Sequence, residues 1–284
     1  MLLRLLSALV LIPLVILVIW QGGALYLLMV VTLVAVMLFE LCRLTEEIGS
    51  DRSRCLTILS GLFLCLVALT EYLPQHSHLR HLSFGPVLFA TFLLNFTHQI
   101  FHDRTKFLSV AANFVNAIYI GWGFGFHALK LRQLSGSSPR IGFYLIVFLL
   151  ATIWCNDTFA YLFGKQFGQY KLRPNISPGK TIEGTLAGLI GGTISALMIW
   201  RFLFKQYLIG MEALSTTIHI VCAAQLIGIT SQLGDLSESI IKRDAGVKDS
   251  GYLIPGHGGF LDRLDSIIFA TPAFFYYLEF TQLL

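Results

Sequence analysis

Apolar residues fill most of the chain in long runs that are separated by short polar segments. A helix needs about 20 mostly apolar residues to cross the hydrocarbon core of a bilayer. Nine runs approach that length, at 5–20, 24–39, 55–70, 83–97, 108–127, 141–162, 184–204, 214–233 and 266–284. The pattern therefore predicts an all-α, polytopic membrane protein with nine transmembrane helices.

The composition supports this prediction. Hydrophobic residues make up 55% of the 284 positions and charged residues only 13%, whereas soluble domains carry about 25% charge. This excludes a soluble globular protein, a disordered chain and a disulfide-stapled secreted domain. The five cysteines form no CxxC pair and lie in or beside apolar runs, so we interpret them as structural.

The distribution of lysine and arginine predicts the orientation, because these residues concentrate in cytoplasmic loops. With nine spans and a cytoplasmic N-terminus, the inner segments hold 14 of the 20 basic residues. This favours a C-terminus outside and places the long polar loops 165–183 and 234–265 in the cytoplasm. We predict a single integral membrane domain, 1–284, with an N-terminal span region, 1–140, and a catalytic span region, 141–284.

Acidic residues are concentrated in the second long loop. Six of the 16 in the chain fall within 234–265, namely Asp235, Glu238, Asp244, Asp249, Asp262 and Asp265. Carboxylates crowded beside a membrane repel one another unless a cation joins them. Mg²⁺ typically takes one or two carboxylates and leaves its other positions to water and substrate phosphates. The loop therefore predicts a metal-dependent phosphate site, the alternative being a solvated loop whose charges lie on exposed helix ends.

Local spacing within this loop favours the phosphate site. Helical periodicity places four polar residues on one face, and these are Asp235, Glu238, Ser239 and Lys242. Between that helix and the last span lies Pro255-Gly256-His257-Gly258-Gly259. A stretch so rich in glycine lets backbone N–H groups approach a phosphate closely.

A second polar group surrounds spans 6 and 7. Asp157 interrupts the run 141–162, and an ionisable group inside a span usually faces a cavity or a partner. Lys180 and Glu183 follow in the next loop. Loops 6–7 and 8–9 are separated by two spans and emerge on the same face, so these residues are expected near the carboxylate loop, level with the lipid headgroups. The alternative is a structural ion pair between Asp157 and a loop lysine.

Span 7 carries small residues four positions apart, at Gly184, Gly188, Gly192 and Ala196. Such a face lets two helices approach closely. It predicts packing within one subunit, and a homodimer contact is the open alternative.

Ser239 to Asp265 reads S-I-I-K-R-D-A-G-V-K-D-S-G-Y-L-I-P-G-H-G-G-F-L-D-R-L-D. This matches S-x-x-K-R-x4-K-D-x-[GSA]-x2-[LIF]-[PG]-x-H-G-G-x-x-D-R-x-D, the signature of the CDP-diacylglycerol synthase (phosphatidate cytidylyltransferase) family. The segments 157–164 and 177–184 also resemble motifs of that family. The chain as a whole resembles its bacterial members.

The resemblance implies that CTP and phosphatidate react to give CDP-diacylglycerol and pyrophosphate. It implies Mg²⁺, together with a monovalent cation, among acidic residues that match Asp235 and Asp262. It also implies the inner face of the cytoplasmic membrane as the location, and no nucleic acid partner is expected.

The remaining assignments combine that resemblance with charge. We expect Asp249 and Asp265 to support the metal site. Substrate binding is assigned to Asp157, Lys180, Glu183, Glu238, Ser239, Lys242, Arg243, His257, Gly258, Gly259 and Arg263, and phosphate neutralisation also to Lys248. His257 and the two glycines are expected to contact the triphosphate.

Two other functions compete with this one. A CTP-dependent polyprenol or phytol kinase would use the same nucleotide and the same interface, but it would release CDP rather than pyrophosphate. A multi-pass transporter would explain a charged residue inside a span. Transporters often have inverted repeats and midplane sites, whereas the polar residues here gather at one face.

Overall fold

The computed structural model describes residues 2–50, 53–72, 83–101, 106–134, 140–204, 213–253 and 258–281. The helices are α1 (Leu2–Gln21), α2 (Gly23–Glu47), α3 (Arg54–Leu66), α4 (Phe84–Ile100), α5 (Phe107–Asn116), α6 (His127–Gln133), α7 (Ile141–Phe167), α8 (Ile182–Ile199), α9 (Ala213–Asp244) and α10 (Leu261–Thr281). A 3₁₀ turn follows α3 at Val67–Tyr72, and π-helical segments occur at Ala117–Phe126 and Trp200–Phe204. Each apolar run of the sequence falls largely within one of these helical stretches.

Within the described residues, five helical stretches are long and apolar enough to cross a membrane. They are Gly23–Glu47, Phe107–Gln133, Ile141–Phe167, Ile182–Phe202 and Thr217–Asp244. Shorter apolar helices occupy Ile12–Gln21 and Arg54–Thr70. The prediction of a helical membrane protein is confirmed in this form, while the count of nine spans and the sidedness of the termini stay predictions.

The chain divides into two compact units. The first contains residues Met1–Lys130 and Ile241–Leu264, and the second contains Leu131–Ile240 and Asp265–Leu284. Residues 241–264 of the carboxylate loop thus fall in the same unit as the N-terminal helices. The division into span regions 1–140 and 141–284 stays a prediction. The single-domain organisation itself stays a prediction.

In the first unit, α2, α3 and the π-helical segment form the centre. Leu64, Val67, Val87 and Ala117 are buried together against Phe84 and Trp122 of neighbouring elements. Gly61 and Gly121 let two backbones touch, because a Cβ on Gly121 would lie 2.2 Å from the Gly61 carbonyl oxygen. This crossing fixes α3 against the segment that follows α5.

In the second unit, α7 and α8 pack through the small residues singled out in the sequence. A Cβ on Gly188 would lie 2.8 Å from the Asn156 carbonyl oxygen, and one on Gly184 would lie 2.7 Å from that of Ala160. The glycine face of α8 is therefore used within the subunit, as predicted. Further along α7, Phe148 stacks on Phe274 of α10, with ring centroids 5.6 Å apart.

The loop predicted at 165–183 contains a hairpin. Strand β1 (Lys171–Arg173) pairs antiparallel with β2 (Ser177–Thr181) through an irregular register. Pro174 and Asn175 between the strands favour a turn. The Thr181 side chain then caps α8 by accepting a hydrogen bond from the Gly184 N–H at 3.1 Å, which ties the hairpin to the helix that follows.

The loop predicted at 234–265 is shorter in the structure. Helix α9 continues to Asp244 and α10 begins at Leu261, so the stretch from Asp235 to Lys242, which has helical spacing, is helical. Gly246 adopts φ +69° just beyond the end of α9, and the Val247 N–H bonds the Lys242 carbonyl at 2.9 Å. A left-handed glycine with such a bond is a common helix terminator, and it turns the chain into the segment before α10.

Candidate active site

A buried ion pair joins the end of α9 to the start of α10 in the first unit. The Lys242 Nζ lies 2.7 Å from the Asp262 Oδ1, and the two side chains are only 11% and 9% exposed. Two charges that are removed from water in this way must satisfy each other and their remaining hydrogen-bonding capacity. Both residues were predicted to belong to the phosphate site.

The second oxygen of Asp262 accepts hydrogen bonds from the segment between the helices. Its Oδ2 is 2.9 Å from the backbone N of Ser250, 3.0 Å from the Ser250 Oγ and 2.9 Å from the backbone N of Gly259. Burial alone would raise the pKa of this carboxyl, but Lys242 and these N–H donors hold the pKa below its usual value. Asp262 is therefore a carboxylate at neutral pH.

Glu40 of α2 completes this group, and our sequence reasoning did not assign it. Its Oε1 accepts from the backbone N of Phe260 at 3.1 Å, and its Oε2 accepts from that of Leu261 at 2.8 Å and from the Ser250 Oγ at 3.3 Å. The signal was present, since Glu40 directly follows the apolar run 24–39 and an acidic residue there is costly unless it has a partner. Together, Glu40, Lys242, Ser250, Gly259 and Asp262 are called the signature cluster below.

Gly258 and Gly259 are required by the close packing of this cluster. A Cβ on Gly259 would lie 2.2 Å from the Ser250 Oγ and 2.6 Å from the Glu40 Oε2, far inside van der Waals contact. Gly258 adopts φ +85°, a left-handed conformation that favours glycine. In this structure the absence of side chains at the two glycines leaves room for the carboxylates of Glu40 and Asp262. Contact of these glycines with a phosphate stays a prediction.

A second polar group lies in the second unit. Lys180 of β2 places its Nζ 2.9 Å from the Asp235 Oδ2 and 3.4 Å from the Gln232 carbonyl oxygen. Asp157 interacts repulsively with Asp235 and Asp265 and attractively with Lys180. Lys180 thus pairs with Asp235 and attracts Asp157, and we call Asp157, Lys180, Asp235 and Asp265 the acidic cluster.

Backbone packing explains why these carboxylates converge. A Cβ on Gly234 would lie 2.4 Å from the Asp265 carbonyl oxygen, so α9 and α10 approach closely just beside Asp235. On the side of α9 that faces α7, the buried Asn156 donates a hydrogen bond to Ser231 and accepts one from Gln232, each at 3.4 Å. These contacts hold α7 and α10 against α9, and the acidic residues come with them.

The other predicted residues take varied positions. Glu183 accepts from the backbone N of Tyr170 at 3.2 Å, just before β1, and its assignment to substrate binding stays a prediction. Ser239 donates to the Asp235 Oδ1 at 3.4 Å, and Glu238 is fully buried. Five predicted residues have exposed side chains, namely Asp157, Arg243, Lys248, Asp249 and Arg263. His257 lies outside the described residues, so its prediction is not examined by the structure.

The acidic cluster has the chemistry that a hard cation requires. Among the described residues, no three acidic, histidine or cysteine side chains converge in the geometry of a complete metal cage. Mg²⁺ does not need one, because it commonly binds one or two carboxylates and completes its coordination with water and phosphate. Asp235, whose side chain is 33% exposed, fits such a partial site, whereas both oxygens of Asp262 already accept from protein donors. That Asp235 and Asp262 both ligate Mg²⁺ stays a prediction.

Comparisons with known proteins agree with the motif. The model of a family described as the cytidylyltransferase family matches residues 2–281. The chain is 32% identical over 237 residues to the phosphatidate cytidylyltransferase of Staphylococcus haemolyticus, which covers 83% of this chain and 85% of that protein. It is 34% identical over 231 residues to the enzyme of the same name from Staphylococcus saprophyticus, covering 81% and 82%.

An Escherichia coli protein without an assigned function, YnbB, is also similar. It is 41% identical over 196 residues, which cover 67% of this chain. The match spans 61% of the length of YnbB, less than two thirds of that protein.

Proposed function

The chain belongs to the cytidylyltransferase family, and we propose that it is a phosphatidate cytidylyltransferase, which makes CDP-diacylglycerol and pyrophosphate from CTP and phosphatidate. The resemblance inferred from the motifs is confirmed at the level of the family. The observation that carries the proposal is the signature segment from Ser239 to Asp265. Within it, Lys242 and Asp262 form a buried, ionised pair where α9 ends and α10 begins.

The chemistry suits such a site. The nucleophile is a phosphate oxygen of the lipid, and a phosphomonoester with a second pKa of about 6 is largely dianionic at neutral pH. This oxygen attacks the α-phosphorus of CTP, and the bond to the bridging oxygen of the β-phosphate breaks. No strong general base is needed, so the task is to bring two anions together, which depends on positioning and charge neutralisation.

The roles that we assign follow from exposure and charge. Arg243, Lys248 and Arg263 are exposed cations of the signature segment, and we assign them to substrate phosphates. The Lys242 ammonium group is paired with Asp262. We therefore assign Lys242 to orienting that carboxylate and to adding positive charge beside it.

Asp235, with Asp265 beside it, is the residue that would hold Mg²⁺, and the same role for Asp262 rests on the family resemblance. When bound, Mg²⁺ neutralises triphosphate oxygens and eases the departure of pyrophosphate. A monovalent cation stays a prediction as well.

We place the protein in the bacterial inner membrane with nine spans, a cytoplasmic N-terminus and the polar loops at the cytoplasmic headgroup level. The asymmetry of lysine and arginine supports this orientation. It would let water-soluble CTP and membrane-embedded phosphatidate reach the same face. Homodimer formation and the absence of a nucleic acid partner also stay predictions.

The test is an omission series on purified protein in detergent micelles. CTP, phosphatidate and Mg²⁺ are supplied together and then omitted one at a time, and the lipid product is identified by thin-layer chromatography. We expect CDP-diacylglycerol only when all three are present. Its absence from the complete mixture, while the protein is folded, would refute the proposal.

A further inference from the structure

Glu40 is an acidic residue of α2 that directly follows the apolar run 24–39. It is 2% exposed, and in the part of the chain that the structure describes its oxygens contact N–H and O–H donors rather than a basic side chain. A carboxylate buried without compensation costs several kcal/mol. The donors around Glu40 are therefore required by its position, and they all come from the signature segment.

Glu40 caps a helix that lies far away in the sequence. Phe260 and Leu261 stand at the start of α10, and Leu261 is separated from Glu40 by 221 positions. The first N–H groups of a helix lack partners within the helix, and a negative charge there interacts favourably with its dipole. A carboxylate of α2 thus takes the place of a local N-cap for α10.

The same capping arrangement bears directly on Asp262. Gly259, Phe260 and Leu261 present three successive N–H groups, the first to Asp262 and the next two to Glu40. The Ser250 hydroxyl lies within hydrogen-bonding distance of both carboxylates, 3.3 Å from Glu40 and 3.0 Å from Asp262. Any shift of the Glu40 carboxylate therefore moves the groups that orient Asp262 and, through it, Lys242.

We infer that Glu40 is a positioning residue for the cytidylyl transfer: it holds Ser250 and the start of α10 so that Asp262 and Lys242 keep their geometry. The inference rests on the proposed function and extends it to a helix outside the signature motif. In this role Glu40 contacts neither substrate and acts only through Ser250 and α10.

The test compares Glu40→Gln and Glu40→Asp with Glu47→Gln. The amide of Glu40→Gln would direct an NH₂ group at N–H donors, whereas Glu40→Asp keeps both oxygens on a shorter side chain. Glu47 is exposed on the same helix, and Glu47→Gln removes the same charge as Glu40→Gln. We expect kcat per folded molecule to fall by about 100-fold in Glu40→Gln, the size of effect that a small misplacement of a site produces. Glu40→Asp should regain part of the loss, and Glu47→Gln should match the wild type.

Hydrogen exchange adds a readout that does not depend on activity. Backbone amides in the peptide covering residues 258–264 should exchange faster in Glu40→Gln than in Glu47→Gln, because the bonds to Phe260 and Leu261 are weakened. If Glu40→Gln does not fold, Glu40→Asp carries the test, with intermediate activity and faster exchange expected.

The outcomes separate the two proposals. A wild-type protein that makes no CDP-diacylglycerol refutes the proposed function. An active wild type, combined with a folded Glu40→Gln that equals Glu47→Gln in kcat or in exchange, overturns the positioning role. If Glu40→Gln does not fold, a Glu40→Asp variant with the kcat and the amide exchange of the wild type overturns the positioning role.

Discussion

The signature cluster and the acidic cluster use similar residue types in opposite ways. In the signature cluster, two buried carboxylates accept from one lysine, one hydroxyl and four backbone N–H groups. In the acidic cluster, three carboxylates accompany a single lysine, which pairs with Asp235 and attracts Asp157. The Asp235 side chain is 33% exposed.

The difference distinguishes a cluster that stabilises the local structure from a cluster that can still bind a cation. Carboxylates whose oxygens are satisfied inside the protein give a rigid arrangement, because breaking any one contact leaves a buried group without a partner. A partly exposed group of carboxylates with an excess of negative charge has a remaining demand for a cation. We therefore expect the signature cluster to respond to mutation through stability and turnover, and the acidic cluster through its requirement for Mg²⁺.

Replacing Asp262 with Asn should have the largest effect. The change removes the charge that faces Lys242 and points an amide at N–H donors, so we expect a loss of about 3–5 kcal/mol in the free energy of unfolding. Turnover should fall by about 1000-fold in the folded fraction. Thermal unfolding and an initial-rate assay measure both, with the exposed Asp244→Asn as control. Near-normal turnover of Asp262→Asn would contradict the assignment.

Replacing Gly259 with Ala should come next, because the added methyl group would collide with Ser250 and Glu40. Overpacking of this kind costs about 1–3 kcal/mol. Gly85→Ala is the matched control, since a Cβ there meets nothing within 4 Å. If thermal unfolding showed the two alanine variants to be equally stable, the close packing of the signature cluster would be wrong.

Replacing Asp235 with Asn should leave stability nearly intact, with a change under about 1 kcal/mol, because its ion pair with Lys180 is partly exposed. The concentration of Mg²⁺ that gives half-maximal rate should rise by at least about tenfold. Titrating Mg²⁺ into chelator-treated protein measures this shift. An unchanged Mg²⁺ requirement would remove the distinction between the clusters.

Replacing Lys248 with Ala should have the smallest effect. Its side chain is exposed, and the loss of one exposed charge interaction, about 1 kcal/mol, raises KM for CTP by about fivefold. Lys165→Ala, an exposed lysine at the end of α7, is the control. Equal KM values for the two variants would argue against contact between Lys248 and the nucleotide.

The helices could be predicted because long apolar runs and helical spacing are local properties of the sequence. The apolar run 141–162 and the spacing of Asp235, Glu238 and Ser239 both lie in helices. Parity of the spans also correctly suggested that Lys180 and the carboxylate loop lie near each other, and the structure pairs Lys180 with Asp235.

The need of Glu40 for a partner could be read from the sequence, but the partners themselves could not, because they are 210 to 221 positions away. Nothing in the local sequence specifies which distant backbone N–H groups will meet a lone carboxylate. The hairpin at 171–181 was missed for a different reason, since strands of three and five residues are too short to produce a clear alternation of polar and apolar positions.

The most direct test of the proposed reaction follows the phosphorus atoms of CTP. Purified protein is given phosphatidate, Mg²⁺ and CTP that carries ³²P either at the α-phosphate or at the γ-phosphate. Cytidylyl transfer predicts that the α-label enters the lipid and that the γ-label leaves as pyrophosphate. Appearance of the γ-label in a lipid product, with release of CDP, would contradict it and identify a lipid kinase instead.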